Sequence, residues 1–138
     1  EFGNMRNWWT DADYVEFNNR TDAMAEEFDG LAYADGAVNG KLTVTENTAD
    51  AGGLSCALEV VQGLPDGNPE AFFTNWAVIW RAKMSPEMAQ LLLTADVHAP
   101  AKLRANIQLQ NFDEFFDIFD IQEGDGMWRA PEDRVTIW

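Results

Sequence analysis

Between Thr10 and Phe119 the apolar residues keep returning at helical spacing, and nearly every such run is opened by a capping residue or a proline. Thr10 reads as an N-cap, with Asp11 and Asp13 in the first turn; Tyr14, Phe17, Met24 and Phe28 follow at roughly helical intervals to a stop near Gly30. Residues 31 to 41 read as a connecting loop with turns at Ala34-Asp35-Gly36 and Asn39-Gly40. A second helix is predicted from about Val44 to Gln62, with Gly63 as its C-cap. Pro69 fits the first position of a third. Its Phe72, Phe73, Trp76, Val78, Ile79 and Trp80 are apolar nearly all round, so this helix is expected to be buried. Ser85-Pro86-Glu87 opens a short helix through Leu93, Pro100 another through about Leu109, and Asn111 caps one more across Phe112 to Phe119. Glu123 to Gly126 is loop, and the tail Arg134-Val135-Thr136-Ile137-Trp138 reads as strand-like or extended. The fold class is therefore mainly α with little strand. No internal repeat or domain boundary interrupts it.

The 138 residues are enough for one domain with a real core. They carry 24 acids against nine bases, a net charge of -15, which repels nucleic acid and anionic lipid and leaves cations or neutral peptides as partners. Cys56 is the only cysteine, so no disulfide can form within the chain, which suits a reducing compartment. No apolar run reaches the ~18 residues of a membrane span. The opening Glu1-Phe2-Gly3, without a Met, reads as a cloning scar or the middle of a longer protein.

Within the second helix, Glu46 and Asp50 are four apart, so both carboxylates face the same way. Like charges at that spacing repel slightly, and a cation, or a histidine bound to one, would relieve this. One carboxylate of such a pair can ligate zinc while the other orients a ligand histidine. The local alternative is a capping box, Thr43-Val44-Thr45-Glu46, in which Glu46 only closes the helix start. Gly52-Gly53 lies in the same helix at a cost of about 1 kcal/mol per glycine relative to Ala, which asks for close backbone packing. His98, the sole histidine, precedes Arg104 by six residues; together they could hold an oxyanion and a substrate carbonyl, or be a loop histidine and a surface arginine. There is no His-Glu-x-x-His, no Cys-x-x-Cys and no phosphate-binding glycine loop. The acids of Asp120 to Asp133 do not fall at calcium-loop intervals.

Taken together, several ordered stretches resemble the C-terminal part of the neprilysin family of zinc metallopeptidases. The run Val38 to Leu54 contains Asn39-Gly40, a short apolar lead and Glu46-Asn47-Thr48-Ala49-Asp50-Ala51-Gly52-Gly53-Leu54. Phe72-Phe73 through Trp76 and Trp80, then Asp96-Val97-His98-Ala99-Pro100 with Arg104 and Asn111-Phe112, resemble the segments that follow. Asn7-Trp8-Trp9-Thr10 and the terminal Trp138 match the two ends. Thr48 and Ile107 depart from the commoner residues at their positions. The lack of the cysteines of animal members places the likeness nearest the bacterial oligopeptidases.

The resemblance implies roles. Glu46 matches the carboxylate zinc ligand and Asp50 the acid that fixes a zinc-bound histidine. His98 matches the oxyanion stabiliser and Arg104 the residue that holds a substrate carbonyl. Trp80 matches an aromatic of the pocket for the residue after the scissile bond. It further implies that residues 1–138 are the C-terminal portion of a zincin-type catalytic domain. His-Glu-x-x-His, with the catalytic base and two zinc ligands, would lie upstream, in a missing N-terminal part that is this chain's first partner. The parent would be a zinc endopeptidase of short peptides, cytoplasmic in a bacterium, and the chain alone would bind zinc weakly and be inactive. The alternative is a catalytically silent helical module of the same family that binds peptides or a protein; an intact upstream His-Glu-x-x-His would decide against it.

Overall fold

The computed structural model describes residue 3 and residues 5–137; Glu1, Phe2, Asn4 and Trp138, with the readings of the opening tripeptide and of the terminal tryptophan, lie outside the described residues. The described residues are mostly helical, with six α-helices and one minimal hairpin among them. Helix α1 (Asp11–Phe28) is closed at its start by Thr10, whose hydroxyl accepts the Asp13 N–H while the Asp13 carboxylate accepts the Thr10 N–H, a reciprocal capping box. The connecting loop then forms a hairpin of β1 (Ala32–Tyr33) and β2 (Gly36–Ala37), antiparallel, with Ala32 opposite Ala37 and Tyr33 opposite Gly36. Helix α2 (Gly40–Gly63) is the spine. Helices α3 (Pro69–Ile79), α4 (Pro86–Ala95), α5 (Ala101–Asn106) and α6 (Asp113–Phe119) complete the set, with 3-10 turns at Gln108–Asn111 and Pro131–Asp133. Among the described residues, no helix is long and apolar enough to cross a membrane.

Helix α2 starts earlier than its sequence suggests. Asn39 caps it through a bond from Leu42 N–H, and Asp29 accepts the Gly40 N–H. Thr43 is therefore inside the helix and buried; its hydroxyl turns back to the carbonyls of Asn39 and Gly40 and accepts from Asn47 Nδ2. The Thr43–Glu46 capping box does not form, and Glu46 lies in the second turn with its carboxylate free of the helix end. Gly63 is the last helical residue rather than a left-handed cap, the C-cap being Leu64 in extended backbone.

The close backbone approach sits at Gly40, not Gly53. A Cβ on Gly40 would lie 2.0 Å from the carbonyl oxygen of Ala25, so glycine lets the start of α2 meet the end of α1. At Gly53 a Cβ would meet nothing within 4 Å. Gly53, on the same helix face as Glu46 and Asp50, is itself exposed.

Two apolar clusters flank the spine. One joins Met24, Phe28, Val38, Ala51, Leu93, Ala99, Leu103 and Ile137. The other joins Leu54, Leu58 and Phe73 with Leu109, Phe112, Phe115 and Phe116. Helix α3 is less buried than its composition predicts: only Phe73 is fully covered, and Val78 and Ile79 are exposed. The α5 segment is also shorter than expected and tightens into the 3-10 turn before Leu109 is passed. Asn111 does not cap α6. Its amide instead donates to both oxygens of Glu27, and its Oδ1 accepts the Val135 N–H, tying the C-terminal segment to α1. That segment is extended but pairs with no strand among the described residues.

Candidate active site

Four of the five residues singled out for chemistry, Glu46, Asp50, His98 and Arg104, are anchored by a buried neighbour in sequence. Asn47 beside Glu46, Ala51 beside Asp50, Ala99 beside His98, and Leu103 and Ala105 around Arg104 are all buried. Adjacent helical positions point about 100° apart, so a buried residue turns its neighbour toward the rim. Helix α2 supplies Glu46 and Asp50, the end of α3 supplies Trp80, the loop after α4 supplies His98 and α5 supplies Arg104. The fold brings all five together.

His98 is the junction. Its Nε2 lies 3.3 Å from Glu46 Oε2 and its Nδ1 2.7 Å from Asp96 Oδ1. Each ring nitrogen thus faces a carboxylate. Asp96 also accepts the His98 backbone N–H at 3.0 Å, an Asx turn that shapes the loop. Those two bonds from His98 hold the Asp96 carboxyl below the usual carboxylate range. The His98 and Glu46 side chains are 43% and 36% exposed, so both remain reachable from outside.

A turn along α2, Asp50 faces Arg104. Arg104 Nε and Nη2 donate to Asp50 Oδ2 and Oδ1, both at 2.7 Å. The indole ring of Trp80 lies against the guanidinium, 3.7 Å from its central carbon. Trp76 packs edge-on to Trp80 and donates its Nε1–H to the Arg104 carbonyl. His98, Asp96, Arg104 and Trp80 form the polar and aromatic edge of a 280 Å³ cavity. Its apolar lining includes Tyr33, Met84, Leu92 and Leu93.

Sequence reasoning missed Asp96 and Trp76. Asp96 sits two residues before His98, the spacing of an Asx turn, which was the available signal. Gln108 was also missed. It is fully buried and donates at 2.7 Å to the carbonyl of Asn47, linking α2 to the chain just after Arg104. Nothing in the spacing of a lone glutamine announces such a link.

Zinc needs three protein donors and an open position in a catalytic site. Among the described residues no three His, Cys, Asp or Glu side chains are placed to hold a metal ion. Glu46, 36% exposed and 3.3 Å from His98 Nε2, fits as one ligand. A complete site would need donors from outside the described residues.

The whole-chain likeness agrees with this geometry. The model of peptidase family M13 matches residues 1–135. The neutral endopeptidase of Lactococcus lactis subsp. lactis is 50% identical over 136 residues, which cover 99% of this chain and 22% of that protein. Neprilysin-1 of Caenorhabditis elegans is 33% identical over 153 residues, covering 99% of this chain and 20% of its own length. The crystal structure of PEPO from Lactobacillus rhamnosis superposes with a TM-score of 0.92 at 47% identity, over 99% of this chain and 22% of the other. A zinc metalloprotease of Mycobacterium tuberculosis, ZMP1, superposes with a TM-score of 0.86 at 36% identity, over 99% of this chain and 23% of its own. This chain thus spans about a fifth of the length of such relatives, and it belongs to peptidase family M13, the neprilysin family.

Proposed function

We propose that this chain forms part of the active site of a zinc-dependent oligopeptidase that cleaves short peptides, and that it supplies one zinc ligand together with the groups that bind the reacting carbonyl. The observation that carries the proposal is the convergence of Glu46, Asp50, His98, Arg104 and Trp80 from four separate segments, linked by the His98–Glu46 and Arg104–Asp50 contacts, beside a cavity that Trp80, His98 and Arg104 line. Zinc, when bound, would supply Lewis-acid polarisation and an activated water.

The chain's own residues have separable tasks. Glu46 offers a carboxylate oxygen to the metal. Asp50 lies a turn away, where it can also orient a ligand histidine supplied from outside. His98, held by Asp96, donates to the oxygen that becomes negative as the carbonyl turns tetrahedral. Arg104 holds a neighbouring backbone carbonyl of the peptide. Trp80 and the cavity receive the side chain after the scissile bond. The parent's enclosed chamber would admit short peptides and exclude folded proteins.

With a single ligand of its own, the chain as given should hydrolyse nothing even with added zinc. The test is a fluorogenic peptide assay on the purified chain with and without zinc, beside the full-length protein. Cleavage by the full-length protein alone is expected. Cleavage by the isolated chain that survives further purification would overturn the division of the site.

A further inference from the structure

Tyr33 lines the cavity beside the site, yet it comes from the β1–β2 hairpin, which supplies none of the groups assigned to the chemistry. The hairpin has only two residues per strand, but it is fixed at three places. Its open end is closed by the Gly30 N–H donating to the Val38 carbonyl and the Val38 N–H donating to the Leu31 carbonyl, both at 2.9 Å. Its turn holds Ala34 at φ 49°, in the left-handed region that favours glycine. A residue persists there only where its surroundings enforce it. Its second strand presses on α4, since a Cβ on Gly36 would lie 2.8 Å from Leu93 Cδ2. Gly36 is the direct partner of Tyr33 across the hairpin, and directly opposed residues share a face. The contact that seats Gly36 on α4 therefore seats Tyr33 as well. The Tyr33 side chain also packs against the core cluster that contains Met24 and Leu93, which backs it where it meets the cavity.

The cavity measures 280 Å³, just under the ~300–1,000 Å³ of small-molecule pockets, which is room for one side chain rather than several. Among the described residues that line it, Tyr33 and Trp80 carry the large rings. Met84 is unbranched and adapts its shape to what it touches. Trp80 is committed to the face of Arg104. A rigid ring on a fixed hairpin leaves Tyr33 as the wall that does not yield.

We propose that Tyr33 is a specificity-determining residue, whose ring limits the size of the substrate side chain that the cavity takes. This deepens the reading of the cavity as the seat of the side chain after the scissile bond, and rests on it. A smaller residue at position 33 opens the cavity to larger side chains, and a larger one closes it to them.

The test uses the full-length protein and two short peptides that differ only after the scissile bond, with Leu in one and Trp in the other. The quantity read is the ratio of kcat/KM for the Trp peptide to that for the Leu peptide. Within one preparation this ratio is independent of how much enzyme is folded and zinc-loaded. Tyr33→Leu should raise it by about tenfold or more, and Tyr33→Trp should lower it to a similar extent, the order expected when an apolar pocket changes by a methylene or more. Tyr33→Phe should leave it unchanged, because only the hydroxyl is lost. A tenfold change in Tyr33→Phe, or shifts of one sign in Tyr33→Leu and Tyr33→Trp, would overturn the size limit. Trp80→Leu separates the two readings. If it shifts the ratio while no Tyr33 variant does, the cavity reading stands and the role of Tyr33 fails. If neither position shifts the ratio, the cavity reading itself fails, and the role of Tyr33 with it.

Discussion

Asp96 holds His98 at two points: its Oδ1 accepts the His98 backbone N–H at 3.0 Å and lies 2.7 Å from the ring Nδ1. The carboxylate thereby fixes both the loop and the ring, and turns Nε2 toward Glu46. Replacing Asp96 by Asn keeps the shape but removes the charge that faces the ring at Nδ1. In the full-length protein Asp96→Asn should lower kcat roughly 10- to 100-fold, the usual range for a group that orients a site residue. Bound zinc should be unchanged. Turnover and metal content, measured on the same preparation, check this.

Glu27 gives the fold an unusual pH dependence. Its side chain is fully buried, and burial pushes its pKa from 4.5 up to about 7, against the pull of Asn111 and of Arg129 at 3.1 Å. Between pH 4.5 and about 7 the folded chain therefore binds a proton that the unfolded chain has released. The stability linked to Glu27 is present below pH 4.5 and is lost as pH rises through 7. Its slope in that window is at most about 1.4 kcal/mol per pH unit. Urea unfolding of the chain and of Glu27→Gln from pH 5 to 8 should show this falling component in the first and not in the second.

Two glycines on α2 should respond oppositely to the same change. Gly40→Ala drives a methyl into the Ala25 carbonyl and must separate α1 from α2, at a cost of about 1–3 kcal/mol. Gly53→Ala meets open space in the middle of a helix and should stabilise the isolated chain by up to about 1 kcal/mol. Thermal unfolding of the two variants at one pH separates them.

Much of the fold was legible because its helix starts are local. Thr10, Pro69 and Ser85-Pro86 act at their own positions, and each starts a helix where expected. The failures came where one side chain had competing partners. Thr43 could cap by spacing, but Asn39 is an earlier cap and buries it. Asn111 could cap α6, but Glu27 and Val135 claim its amide from distant parts of the chain. Spacing also could not reveal that α3 leaves Ile79 exposed, since an apolar sequence does not state what covers it. For the site, the four-residue step from Glu46 to Asp50 was readable as one helix face. The fork between Asp50 and Arg104 was not, because the two residues are 54 positions apart and only packing joins them.

The proposed division of roles gives Glu46 the zinc and His98 the substrate. It is tested most directly by metal analysis and turnover of two variants of the full-length protein that carries this chain, Glu46→Ala and His98→Ala. Glu46→Ala should lose its zinc and with it all activity. His98→Ala should keep its zinc and lose turnover by about 10²- to 10³-fold, as expected for one lost donor to a developing oxyanion. Zinc retained at the wild-type level in Glu46→Ala would contradict the assignment.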